Sequence, residues 1–422
     1  MRFSIITPEH RGTFLKETWL SIKQQTCSDF EWVVVVNGDL TIEKAKDIIG
    51  EDDPRIRVVD YGMPFSGIGA IKNFAFNLGL GEILVELDGD DLLTKDALVE
   101  LDEAFKDETL DFAYSNFADF LPDWSPSTFG ERGSLNGWRY KDTEVDGRMF
   151  KEAIGWEPSA AALSYVWYAP NHVRAWKADF YKMIEGHDIT IPIADDHELL
   201  IRTFLNGRMK KIDKLLYLYR VGDNNTWNKN GNDIAQRTHA LYAKNHEALV
   251  LRECQLKGEP VIDLGGGFSS PAGWIPCDLD LNGQEGIQAD LNQKWPFEDY
   301  SVGAFRAHDL IEHLPNKQHT MSEIHRCLKP GGYLLSQTPS TDGRGAFQDP
   351  THVAFWNENS FWYWTRQEQA KYIKNDTIKF IAHRLCTDFP NEWCKQNQIP
   401  YVYADLIAYK GDCSGIPGLR GF

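Results

Sequence analysis

Apolar positions in the first hundred residues gather into short continuous runs separated by amphipathic stretches. Residues 3–7 form one run, stopped by Pro8; residues 31–37 are dominated by valine, and residues 55–59 and 81–87 take the same form. Between them, residues 13–25 carry Phe14, Leu15, Thr18, Trp19 and Ile22 at helical spacing, and a second helix is predicted over residues 70–80. Buried strands alternating with helices predict a parallel sheet covered on both faces. Ligands of such sheets bind at the carboxyl ends of the strands. The turn at residues 37–39 and the acidic residues Asp88, Asp90 and Asp91 both fall there.

Residues 119–156 are rich in Gly, Ser, Pro and Trp with weak periodicity, and read as a long excursion, a lid or acceptor loop. Pattern returns near Tyr165 and runs through residues 194–202 and 215–220. Residues 223–233 are polar and Asn-rich, and residues 234–254 read as a helix. A second alternating series starts at Pro260, with strands at 261–264, 274–278, 302–307 and 333–337 and a helix at 317–328. The expected organisation is an α/β domain over 1–230, a helical linker over 231–257 and a second α/β domain over 258–422.

Composition narrows the class. With 422 residues, 42% apolar and 25% charged, the chain reads as a soluble multidomain protein. Its formal charge of −18, most of it before Leu256, disfavours a polyanion such as duplex DNA as partner. Seven scattered cysteines without a C-x-x-C pair suggest reduced thiols in a cytosolic setting. No apolar run reaches membrane-span length, and the first strand starts too early to leave room for a signal peptide. The expected location is cytoplasmic.

Three carboxylates at one strand terminus repel one another, and folding alone gives no reason to place them there. A Mg²⁺ or Mn²⁺ ion removes the conflict, because hard carboxylate oxygens bind it and leave positions open for phosphate oxygens. The alternative is a solvated acidic turn. Residues 4–8, 31–39, 81–91 and 194–202, taken in order, resemble the inverting family 2 nucleotide-sugar glycosyltransferases of the GT-A (Rossmann-like) fold. The resemblance covers about the first 225 residues and implies roles by position. Thr7, Pro8 and Glu9 would touch the nucleotide, and Asp39 would recognise the base, although Asn37-Gly38-Asp39 departs from the commoner pattern. Asp88 and Asp90 match the D-x-D pair, with Asp90 or Asp91 as metal ligand and Asp88 also toward the donor. Asp196 matches the catalytic base, and Arg220 a contact to the diphosphate. Asp195 could instead cap the following helix. His172 and Arg174 are candidates for phosphate or acceptor contact. Trp138, Trp156 and Trp167 suit either sugar stacking or the core.

In the second series, residues 261–267 are a strand followed by a glycine turn, and residues 274–278 a strand ending in an acid. With residues 289–297, 308–314 and 328–332 they resemble class I S-adenosylmethionine-dependent methyltransferases. By position, Asp263, Gly265 and Gly267 would form the methionine-side loop, Asp278 would bind the ribose, Asp290 the adenine amine, and His308 would lie near methyl transfer. The connection from Gly265 to Trp274 is too short for the helix usual there, so binding is altered or lost. The aromatic cluster at 355–364 reads as a core-covering helix or a platform for a glycan.

The resemblances imply a bifunctional enzyme. A sugar passes from a nucleotide diphosphate, a UDP-sugar by expectation, to a glycan or other hydroxyl acceptor with inversion, and S-adenosylmethionine then supplies a methyl group to the glycan. Three readings stand beside it: a glycosyltransferase with a degenerate second domain, a non-catalytic glycan-binding module, and a glycosyltransferase acting on a hydroxylated DNA base.

Overall fold

The computed structural model describes residues 1–64, 67–222, 226–411 and 415–418. Cys413 and the first residues of the Asn-rich stretch lie outside the described residues. Two compact units divide the chain, Met1–Asn245 and His246–Phe422. The helix Thr226–Lys257, broken at Asn230, contributes to both. No described helix is long and apolar enough to cross a membrane.

In the first unit the strands Ile56–Asp60, Phe30–Val36, Phe3–Glu9 and Ile83–Glu86 lie side by side and parallel. The burial of every residue in Phe30–Val36 explains its continuous apolar run, since both faces of that strand are covered. Beyond Ile83–Glu86 the sheet becomes mixed. Arg174–Lys177 runs antiparallel between Ile83–Glu86 and Phe112–Phe120, and Met209–Arg220 follows parallel to Phe112–Phe120. An all-parallel sheet is therefore corrected to a parallel half and a mixed half. Residues 119–156 are also more ordered than expected. They hold a β-hairpin, Arg139–Val145 against Arg148–Ile154, anchored on Phe112–Phe120. Trp138 and Trp156 meet at 4.2 Å inside the core, so both serve packing.

The second unit has the strand order Ile287–Gln288, Ile275–Asp278, Val261–Leu264, Val302–His308, Leu328–Pro339, Tyr401–Ala408, Phe380–Asp388. The first five are parallel, and Tyr401–Ala408 runs antiparallel between Leu328–Pro339 and Phe380–Asp388. The order reverses between Val261–Leu264 and Val302–His308, which creates a crevice at their carboxyl ends. Trp356, Phe361 and Trp364 are core residues of this unit.

Candidate active site

The acidic turn after Ile83–Glu86 is held from below. Tyr217 donates its hydroxyl to Asp91 Oδ2 at 2.7 Å, and the backbone N–H of Arg220 donates to Asp91 Oδ1 at 2.7 Å. Arg220 Nε donates to the Asp90 carbonyl at 2.8 Å, and the Thr18 hydroxyl lies 2.9 and 3.0 Å from the carbonyls of Gly89 and Asp91. A side chain at Gly89 would displace Glu9 from the loop. A Cβ there would stand 1.9 Å from Glu9 Oε2.

These contacts sort the expected metal set. Asp91 is 1% exposed, with both carboxylate oxygens committed, and does not line the cleft. Its place among the ligands is corrected to a structural one. Asp88 and Asp90 do line the cleft, which measures about 1040 Å³ and also includes Pro8, Glu9, Asp39, Lys72 and Arg237. Burial, then the charges of Asp88 and Glu9, pushes the Asp90 carboxyl up to about 6; burial likewise raises Asp88, against the pull of Lys72. Neither carboxylate has a salt-bridge partner among the described residues. Two adjacent carboxylates held together against their mutual repulsion fit a divalent cation, which would supply positive charge to a departing diphosphate.

Other expected donor contacts are redistributed. Thr7 is fully buried and accepts from the Trp32 indole at 2.9 Å, so its side chain belongs to the core. Glu9 Oε1 accepts from the N–H groups of His10, Arg11 and Gly12 at 2.7, 2.7 and 3.1 Å, shaping the loop over the cleft. Asp39 sits exposed on the rim. Arg220 is corrected from diphosphate contact to support. It is 3% exposed, packs over Phe14 at 4.0 Å and Phe120 at 4.6 Å, and pairs with Glu17 at 2.9 Å.

Helix Asp195–Asn206 begins directly at the acidic pair, after Ala194 in a left-handed conformation. No side-chain cap hydrogen bond forms, so Asp195 does not cap it. Asp195 is buried 3.7 Å from His187, and burial, opposed by Lys72, moves its carboxyl up to about 7. Asp196 stays 26% exposed and accepts from Arg174 at 3.0 Å and from the His197 N–H at 2.8 Å. Burial would raise Asp196, but Arg174 and Lys72 outweigh it and hold the carboxyl at about 2.

Two groups that the sequence motifs do not single out complete this network. Glu86, fully buried, pairs with Lys72 at 2.5 Å and lies 3.4 Å from Arg174. Lys72 therefore stands between Glu86 and the acids, and the charges of Glu86, Asp88, Asp195 and Asp196 raise it despite its burial. A signal existed, since Lys72 is the one charged residue of the helix Ile68–Asn77. Arg174 touches Asp196 as described, while His172 stacks on Tyr217 at 4.7 Å, and its burial moves it down to about 3, neutral at working pH.

In the second unit, the groups expected to hold a cofactor engage one another. Asp263 Oδ1 accepts from Arg306 at 2.8 Å and Oδ2 from Ser270 at 2.9 Å. Asp278 accepts from the N–H of Gly267 at 3.0 Å and of Asp280 at 3.1 Å. Gly267 must lack a side chain, because a Cβ would lie 2.2 Å from the Asp280 carbonyl. Gly265 turns at φ +81 beside Leu310. Asp290 is exposed and accepts from Asn292, and His308 Nδ1 accepts from Arg306 at 2.8 Å. Residues 265–274 carry no helix, as their length predicts. In this structure these acids bond neighbouring protein groups, and the Asp278 carboxylate and the Gly265–Gly267 backbone are the groups that would hold S-adenosylmethionine.

Residues 4–160 match the family model described as Glycosyl transferase family 2, and residues 276–336 match one described as Methyltransferase domain. The chain carries a family 2 glycosyltransferase domain followed by a methyltransferase domain. Among curated proteins, the hyaluronan synthase of Pasteurella multocida is 26% identical over 60% of this chain, and the chondroitin synthase of strain Pm70 is 26% identical over 54%. The chain covers only 23% and 21% of those two proteins. An uncharacterized glycosyltransferase of Methanocaldococcus jannaschii is 27% identical over 45% of this chain and 66% of its own length. Crystal structures of S. aureus TarS 1-349 with UDP and with UDP-GlcNAc align at TM-scores of 0.42 and 0.44 and 16% identity. Each alignment covers 61% of this chain and 71% or 72% of TarS 1-349. The family 2 match contains Asp88 and Asp90 but ends before Asp196.

Proposed function

We propose that the glycosyltransferase domain moves a sugar from a UDP-sugar to an acceptor hydroxyl with inversion, using Asp88 and Asp90 to hold Mn²⁺ or Mg²⁺ and Asp196 as general base. The observation that carries this reading is the Asp88–Asp90 corner, which lines a large cleft and has no salt-bridge partner among the described residues, with the charge of Asp196 acting on Asp88 and Asp196 oriented by Arg174. The acceptor oxygen forms the new bond at the anomeric carbon as the bond to the diphosphate breaks. The leaving electron pair goes to the diphosphate, and the hydroxyl proton passes to Asp196. Direct displacement with one base inverts the centre. Pairing with Arg174 makes Asp196 a weak but permanently ionised base, fixed in orientation. Asp39, exposed at the rim, would read the nucleobase, and uridine as that base follows from the family resemblance.

The test is release of UDP from a panel of UDP-sugars with Mn²⁺ and candidate glycan acceptors. Activity in the parent protein and its loss in Asp196→Asn supports the proposal. Full activity in Asp196→Asn removes the base assignment. Methylation of the same glycan is a second reading, supported by the methyltransferase match and opposed by the shortened connection from Gly265 to Trp274. Calorimetric titration with S-adenosylmethionine separates the two, since a degenerate domain gives no binding heat.

A further inference from the structure

The methyltransferase domain contains a second cluster with ligand chemistry, separate from the expected cofactor residues. Glu312 and His313 sit on the short helical turn Ile311–His313 that follows the carboxyl end of Val302–His308. His352 arrives from a distant segment. Asp349 folds that segment, accepting from the N–H and hydroxyl of Thr351 at 2.8 and 2.6 Å. The Glu312 carbonyl then accepts from the N–H groups of Val353 and Ala354, both at 2.9 Å. One ligand atom from each of Glu312, His313 and His352 lies within 4.8 Å of the others.

Two further observations point to a ligand. Glu312 is 2% exposed; its Oε2 accepts from the Thr338 hydroxyl at 2.7 Å, but its Oε1 has no hydrogen-bond partner among the described residues. A buried carboxylate oxygen without a partner is costly unless something else satisfies it. Each histidine has its Nδ1 engaged by backbone. His313 Nδ1 lies 3.2 Å from the Thr351 carbonyl and 3.1 Å from the Thr351 hydroxyl, whose own proton goes to Asp349, and His352 Nδ1 lies 3.1 Å from the Ala346 carbonyl. A carbonyl only accepts, so each Nδ1 donates, which leaves Nε2 as the nitrogen to meet a ligand. Orienting a ligating imidazole through a backbone carbonyl on its other nitrogen is the usual outer-shell device of metal sites.

We infer that Glu312, His313 and His352 bind a divalent transition-metal ion through one carboxylate oxygen and two imidazole nitrogens. Zn²⁺ suits this donor set, and three protein ligands leave a coordination position open at the partly exposed histidine side. Tetrahedral donors on Zn²⁺ stand about 3.4 Å apart, so small side-chain adjustments close the cluster.

The test uses the full chain stripped of metal and carrying Asp90→Asn, so that the glycosyltransferase carboxylates make no site of their own. Calorimetric titration with Zn²⁺ is expected to give one ion per chain. Adding Glu312→Gln or His352→Asn should weaken binding at least tenfold while the metal-free melting temperature stays within a few degrees. X-ray absorption on the Zn²⁺-loaded protein should show two imidazole nitrogens and carboxylate oxygen at about 2.0–2.2 Å. No binding by the Asp90→Asn chain, unchanged affinity in the added variants, or a spectrum without imidazole overturns the inference. Should an added variant fail to fold, the absorption spectrum still decides. Because Asp90 is already removed, failure here leaves the proposed sugar transfer untouched.

Discussion

Replacing Asp90 with asparagine should stabilise the metal-free protein while abolishing its activity. Burial and the neighbouring Asp88 and Glu9 move the Asp90 carboxyl from 3.8 to about 6 in the folded chain. A raised folded value means that the native state holds its proton more tightly than the unfolded chain. Stability tied to this group is therefore full below about pH 4, falls as pH rises toward 6, and stays lost above it. At neutral pH without cation, the ionised Asp90 costs the fold roughly 3 kcal/mol. The asparagine side chain carries no charge and should recover most of that, a rise of roughly 6–12 °C in melting temperature for a unit of this size. The assay is thermal melting at pH 4 and pH 7, with and without Mn²⁺, paired with UDP release. The expected pattern is a gap between parent and Asp90→Asn at pH 7 that closes at pH 4. Mn²⁺ should raise the parent at pH 7 well beyond any rise it gives the variant. A variant melting at or below the parent at pH 7 without metal, or equal Mn²⁺ stabilisation of both, would refute the argument that this corner is strained by charge and relieved by a cation.

Other outcomes follow from the same network. Apparent Mn²⁺ affinity in the parent should fall by roughly tenfold per pH unit below about 6, because the ion must displace the Asp90 proton; pH-independent binding between 4 and 6 contradicts this. Asp196→Asn should lower kcat by roughly 10²–10⁴ with little change in UDP binding, measured by calorimetry. Lys72→Met leaves Glu86 buried against Asp88, Asp195 and Asp196 without its closest cation, and should destabilise the chain by about 3–5 kcal/mol in urea unfolding. Arg174→Lys should shift the pH profile of kcat, adding an acid limb as Asp196 rises from about 2 toward the ordinary carboxylate range; an unchanged profile means that Arg174 does not set this group.

The sequence by itself determined the two α/β units, the alternation of strand and helix, and the position of the acidic turn at a strand's carboxyl end. Such features depend on local periodicity and on residues close in the chain. Asp88 and Asp90 were legible for that reason, as was the shortened glycine connection at 265–274. The tertiary structure decided which of several like residues face the cleft. Asp91 follows Asp90 directly, yet pairing of Leu92–Leu93 with the Tyr217–Leu218 segment brings the Tyr217 hydroxyl and Arg220 N–H to its carboxylate and turns it inward. Arg220 looked like a phosphate contact, but three surrounding aromatic rings hold it inside. Lys72, Glu86 and Arg174 come from three separate elements, and only the neighbouring strands Ile83–Glu86 and Arg174–Lys177 bring their charges onto Asp196. Charge interactions depend on distances through space, which spacing along the chain does not encode.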